Sequence, residues 1–185
     1  MLKRILLCGL LSVLWSAPAI AQDLHPYELF TGYGYVRPSG GQANLNGFDL
    51  SFTANLNSWL GFTVGLGGQY GDQVLTTTTP SGTAAVKTNA RFNSLGFGPR
   101  FTYRGNDRLT PFAHVLVGLA RGEWTGPASV SGGETSFATA VGGGIDAAIT
   151  DHFGIRLIQV ELVRTYFGPT HENLFRLAAG ARFSF

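Results

Sequence analysis

Cysteine occurs once in the 185 residues, at position 8, and charge is scarce, with 13% of residues Asp, Glu, Lys or Arg against roughly 25% in a typical soluble chain. Long apolar runs are missing too. The uncharged run from Ile5 to Trp15 is about eleven residues, well short of the roughly 20 that a membrane-spanning helix needs. These absences exclude a disulfide-stapled scaffold and a helical membrane protein. They also imply that something other than water covers much of the surface.

What is present begins with an address. Lys3 and Arg4 precede the uncharged run, and Pro18 and the small-residue site Ala19-Ile20-Ala21 stand before Gln22. This is the pattern of a secretory signal peptide over residues 1–21, leaving a single domain over 22–185. Cys8 leaves with it, and Leu7 stands where lipid attachment wants a small residue. The exported part therefore has no thiol chemistry. Removing Lys3 and Arg4 lowers the basic count from 13 to 11, equal to the 11 acidic residues, so no basic surface argues for nucleic acid.

The mature part alternates. Apolar residues at every second position, the period of a β-strand, predict eight strands, near Tyr27–Arg37, Asn46–Leu56, Trp59–Tyr70, Phe92–Tyr103, Leu109–Arg121, Thr135–Ile149, Phe153–Phe167 and Leu174–Phe185. In the second, Phe48, Leu50, Phe52, Ala54 and Leu56 alternate with Gly47, Asp49, Ser51, Thr53 and Asn55. Connections after strands two, four and six are short: Asn57-Ser58, Arg104-Gly105-Asn106-Asp107 and Thr150-Asp151-His152. Those after one, three, five and seven are longer, including "GDQVLTTTTPSGTAAVKTN" and "GEWTGPASVSGGE". An up-and-down meander then has its short turns at one end and its long loops at the other, the asymmetry of outer-membrane barrels.

Aromatics mark the same two ends. Tyr27, Trp59, Tyr103, Phe153 and Phe185 fall beside the short turns, and Tyr35, Tyr70, Phe137, Tyr166 and Phe167 toward the long loops. Rings at two levels are expected at two water–lipid boundaries. Of the two strand faces, one carries bulky Phe, Leu, Val and Ile and the other Gly, Ala, Ser, Thr and a few charges. A soluble barrel of the lipocalin kind wants bulk inside and charge outside. Here the bulky face suits hydrocarbon and the small face a narrow lumen, and in lipid the sheet must close so that every backbone group is paired.

That assignment collects Glu28, Asp49, Asp146 and Glu161 with Arg100, Arg156, Arg176 and Arg182, plus His114 and Gln69, in the lumen. Buried charges persist when paired, so a charge network closing the lumen is expected. Strand seven complicates it, because Arg156 has opposite parity to Gln159 and Glu161. A β-bulge near Leu157 or Ile158 would bring all three inward; otherwise Arg156 or Arg164 snorkels to an interface.

Motifs for chemistry are sparse. Gly142-Gly143-Gly144 lacks the helix and the Lys-Ser/Thr of a phosphate loop, and small residues in a cramped lumen explain it. His114 has no second His at ligand spacing and reads as a satisfied lumenal histidine. Asp151-His152 lies in a turn, and the stretch "THENL" around His171 and Glu172 lacks a nearby serine. No metal, cofactor or catalytic residue is expected. The stretch "TTTTPSGT" reads as a solvated loop.

The stretches "YELFTGYGYVRP", "LNGFDLSFTANLNSWLGFTVGLGGQYGD", "FGPRFTYRGNDRLTPFAHVLVG", "GGGIDAAITDHFGIRLIQVELVRTYF" and "NLFRLAAGARFSF" resemble the outer membrane protein β-barrel domain family, relatives of the OmpA- and OmpX-type small barrels. The resemblance spans nearly the whole mature chain. It implies an eight-stranded antiparallel transmembrane β-barrel in a Gram-negative outer membrane, with no shared catalytic motif. The ending, with Phe183 and Phe185 in alternation, resembles the assembly signal of such barrels, a strand that pairs with the barrel-assembly machinery before closing on strand one. Expected partners are therefore outer-membrane lipid and that machinery, for a monomer with a structural or surface role. A small-solute channel, a lumenal ligand carrier and a lipid-modifying enzyme are the alternatives.

Overall fold

A computed structural model describes residues 25–39, 44–79, 82–106, 108–125, 131–166 and 171–185. The expected signal peptide over 1–21, with Cys8, lies outside them, as does Phe167. Eight strands follow one another: β1 (Tyr27–Pro38), β2 (Leu45–Asn55), β3 (Leu60–Thr79), β4 (Gly82–Thr102), β5 (Leu109–Thr125), β6 (Ser131–Ala148), β7 (Phe153–Tyr166) and β8 (Glu172–Ser184). Each pairs antiparallel with the next, and β8 pairs with β1 to close the barrel. Phe185 completes the closure, its N–H and carbonyl exchanging hydrogen bonds of 3.0 Å with the backbone of Tyr27.

The stagger of the barrel can be read from the pairings. Starting at Arg91 and stepping round through Tyr70, Asn46, Tyr35, Leu177, Val160, Gly143 and Ala113 returns to β4 at Phe101, ten residues further along. Eight strands with this shear tilt strongly and enclose an interior that side chains can fill.

The three short turns share one device. Asn57 Oδ1 accepts from the N–H groups of Trp59 and Leu60 at 3.0 and 2.8 Å. Asn106 Oδ1 does the same for Arg108 and Leu109 at 2.8 and 3.0 Å, and Thr150 Oγ1 accepts from Phe153 N–H at 3.1 Å. Each side chain satisfies backbone donors that a tight reversal leaves without ladder partners.

At the other end the structure corrects two expected loops. Most of "GDQVLTTTTPSGTAAVKTN" is strand: β3 and β4 pair with each other from Tyr70↔Arg91 out to Thr79↔Gly82. Their outer neighbours stop earlier, at Asn46↔Tyr70 on β2 and Asn89↔Thr125 on β5. A two-stranded ribbon therefore projects beyond the barrel. The expected loop "GEWTGPASVSGGE" is likewise shortened, since β5 and β6 pair out to Thr125↔Ser131.

Bulky residues do face outward: Phe48, Phe52, Phe62, Leu66, Leu95, Phe97, Val117, Leu162 and Phe175 are all exposed. At the short-turn end Tyr27, Trp59, Tyr103 and Phe185 are exposed and Phe153 partly so. Their rings meet neighbours, Trp59 with Phe101 at 6.1 Å, Tyr27 with Phe185 at 6.2 Å and Phe153 with Phe183 at 5.4 Å between centroids. Toward the loop end, Tyr70, Phe137 and Tyr166 are exposed and Tyr35 partly so.

Candidate functional site

Inside the barrel, strand pleat turns Glu28, Asp49, Arg100, His114, Asp146, Arg156, Glu161, Arg176 and Arg182 away from solvent, and all nine are buried. They form one connected chain of contacts. Asp146 stands between two arginines, its Oδ2 accepting from Arg100 Nη2 at 2.7 Å and its Oδ1 from Arg156 Nε at 2.7 Å. Glu28 faces three: Arg100 Nη1 at 3.3 Å, Arg104 Nη2 at 2.8 Å and Arg182 Nη1 at 3.7 Å. Asn55 adds a donor to Glu28 at 3.0 Å.

Further along the axis Glu161 is gripped by the Arg176 guanidinium. Its other oxygen lies 2.7 Å from His114 Nε2 and accepts from Gln159 Nε2 at 2.7 Å. Arg156 donates to Gln159, which joins the two halves. Asp49 is the loosest member, 3.7 Å from Arg176 Nε, and Ser94 Oγ accepts from Arg176 Nη1 at 3.0 Å. Bidentate and shared contacts of this kind suit the planar fork of arginine.

Arg100 and Arg156 both donate to Asp146 Oδ2, and both also lie against the Phe112 ring. The guanidinium carbons of Arg100 and Arg156 lie 3.9 and 4.3 Å from its ring centroid, and Arg156 also lies 4.1 Å from Phe30. Each cation is thus covered by a π face where it is not hydrogen-bonded.

The inner glycines make room for these side chains. A Cβ on Gly142 would sit 2.5 Å from Glu161 Cγ, and one on Gly34 would sit 3.0 Å from Gln69 Nε2 and 3.2 Å from Asp49 Oδ2. Gly142 and Gly144, where a Cβ would meet Glu161 and the Phe112 ring, are therefore packing positions beside the network, whereas Gly143 has the outward parity and lies against the Phe112 and Ala113 backbone.

Strand β7 carries a register shift between Arg156 and Gln159, matched by one between Ile145 and Asp146 on β6. Leu157 and Ile158 are both exposed, 49% and 45%, while Arg156 and Gln159 are both buried. Two consecutive residues face outward, so the strand resumes with inverted parity and Glu161 points in.

Two features were missed by reading the sequence. One is Arg104, a fifth arginine assigned to a turn, which reaches back to Glu28 and also donates to Ser58 O at 2.6 Å. Burial lowers its pKa, opposed first by Glu28. The other overturns the expectation that the inner face is small and polar throughout. Val36, Leu45, Phe92, Leu116, Val163 and Leu174 pack with four alanines into a buried apolar cluster. The pairings place this cluster inside the barrel on the loop side of the charges. The space it leaves beside Gly65, Gly96 and Arg176 is about 20 Å³, room for one water. At the short-turn end a vestibule of about 480 Å³ lined by His25, Arg104, Arg108 and Asp151 opens to solvent.

Among the described residues, no three His, Cys, Asp or Glu side chains group as metal ligands. His171 and Glu172 are exposed, as are Asp151 and His152.

A family model described as the outer membrane protein beta-barrel domain matches residues 6–183. No curated protein sequence matches the chain. Among solved structures, the Neisserial surface protein A aligns with a TM-score of 0.57 at 16% identity, over 86% of this chain and 96% of its own. The outer membrane protein OprG of Pseudomonas aeruginosa gives 0.54 at 10%, over 88% and 97%. The attachment invasion locus protein Ail of Yersinia pestis, in complex with the heparin analogue sucrose octasulfate, gives 0.51 at 16%, over 85% and 96%. At these identities the likeness is one of fold.

Proposed function

Because the chain belongs to the outer membrane protein β-barrel domain family and resides in the bacterial outer membrane, we propose that it is a monomeric barrel with a closed lumen and a structural, surface-interacting role. The observation that carries this reading is the double filling of the interior. A charge network occupies the half toward the short turns, and an apolar layer occupies the half toward the loops. An ion entering from the periplasm would meet fixed pairs and then a tight apolar constriction. The parts free to meet other molecules are the outer wall and the hairpins that extend past it, above all the β3–β4 ribbon, whose outer edges pair with no described residue beyond Asn46↔Tyr70 and Asn89↔Thr125 and so offer a place to add a strand.

This reading assigns no catalysis. His114 and Glu161 touch but are enclosed. Phe183 and Phe185 are assigned the assembly signal, and Tyr27, Trp59, Tyr103 and Phe153 the periplasmic aromatic girdle. The second reading, a small-solute channel, is favoured by the vestibule of about 480 Å³, which would be its inner mouth. Proteoliposome swelling in small sugars and amino acids separates the two. No swelling above protein-free vesicles is expected, and swelling that falls with solute size would replace this reading with the channel.

A further inference from the structure

The outer wall is charged at one level only. Arg37, Arg91, Arg121 and Arg164 are exposed and follow the outward parity of β1, β4, β5 and β7. Below them, toward the short turns, the described outward rows contain no Asp, Glu, Lys or Arg. Ten residues of stagger over eight strands amount to about 1.25 residues per strand. Correcting the pairings for this share brings the four arginines within roughly two residues, about 5 Å, of a common height. Twelve residue steps separate Arg91 from Tyr103, just past the end of β4, about 30 Å of height at a strand tilt near 40°. That just exceeds the roughly 25 Å apolar band of such barrels, so the belt stands where hydrocarbon gives way to headgroups.

Among the described residues these arginines make few contacts. Arg164 Nε donates to Asn173 Oδ1 at 2.9 Å, and the Arg91 guanidinium lies 5.7 Å from the Tyr70 ring centroid. Arg121 Nε lies 2.6 Å from Glu123 Oε1, yet its side chain is 56% exposed. Asp72 and Glu123 are the carboxylates of outward parity among the described residues at this level, and the exposed Glu134 and Glu172 sit on the inward parity, so the outward row, with four arginines against two acids, is net basic. It divides into two pairs on nearly opposite sides of the barrel. Arg91 and Arg121 lie on adjacent strands, and Arg37 and Arg164 flank β8.

We propose that this belt binds the phosphate groups of the phosphorylated glycolipid, lipid A, in the outer leaflet. An arginine standing above a lipid-facing apolar row, as Arg121 stands above Leu119 and Arg164 above Leu162, meets a lipid headgroup before it meets a protein. The guanidinium fork matches phosphate oxygens two at a time. The periplasmic belt has aromatic rings and no outward arginine, so the charge is matched to one leaflet, the one built from phosphate-bearing glycolipid.

Native mass spectrometry of the protein extracted from outer membranes in mild detergent, titrated with diphosphorylated lipid A, tests this. The wild type should bind it at least tenfold more tightly than dephosphorylated lipid A or phosphatidylglycerol. R91Q/R121Q and R37Q/R164Q should each weaken binding by roughly fivefold per arginine removed, whereas R108Q, in a periplasmic turn, should not change it. Equal binding of dephosphorylated lipid A or of phosphatidylglycerol, or undiminished binding by both double variants, would overturn the proposal.

Discussion

Asp146 is fully buried and takes hydrogen bonds from two arginines, so its removal leaves two desolvated cations with one carboxylate fewer. Asp146→Asn should therefore lower the unfolding free energy by about 3 to 5 kcal/mol, measured by urea unfolding with tryptophan fluorescence. Asp49→Asn should cost clearly less, because its contact with Arg176 is 3.7 Å long. Gly142→Val, which drives a Cβ into Glu161 and the Val160 carbonyl, should abolish the folded form. At this scale, alternation groups the inward side chains of the regular strands, and Arg156 joins Gln159 and Glu161 only through the bulge in β7. Alternation could not say which acid meets which base, because partners come from different strands. Arg104 escaped for another reason: a long side chain leaving a turn has no parity to read.

At the scale of the element, the bulge in β7 decides whether Arg156 faces Asp146 or lipid. Deleting Ile158 should straighten the strand and force either Arg156 or Glu161 outward. An outward arginine costs up to about 2 to 4 kcal/mol at the midplane and less toward the interface, and a buried partner is left behind as well. The deletion variant should lose the compact, fast-migrating band on unheated gels. This bulge could be inferred because Arg156 and Glu161 conflict in parity. The β3–β4 ribbon could not, since "TTTTPSGTAAVK" has no apolar alternation to read. Replacing residues 73–87 by a short turn should leave barrel stability within about 1 kcal/mol, because the ribbon strands pair only with each other there and loop length itself matters little.

For the molecule as a whole, closure is both a covering of edges and a filling of the interior. Phe185 carries part of the first, and deleting it removes two backbone hydrogen bonds to Tyr27. Outer-membrane yield and assembly rate should fall in cells making the truncated chain. The filling is harder to see in the sequence. Val36, Phe92, Leu116, Val163 and Leu174 lie on the inner parity, but bulk was credited to the lipid face, and a barrel with lipid outside and an apolar plug inside needs bulk on both. The claim that the lumen is closed meets its most direct test in single-channel recording of the purified protein in planar bilayers in concentrated KCl. The account predicts a current indistinguishable from the bare bilayer. Discrete, long-lived conductance steps that scale with salt would contradict it.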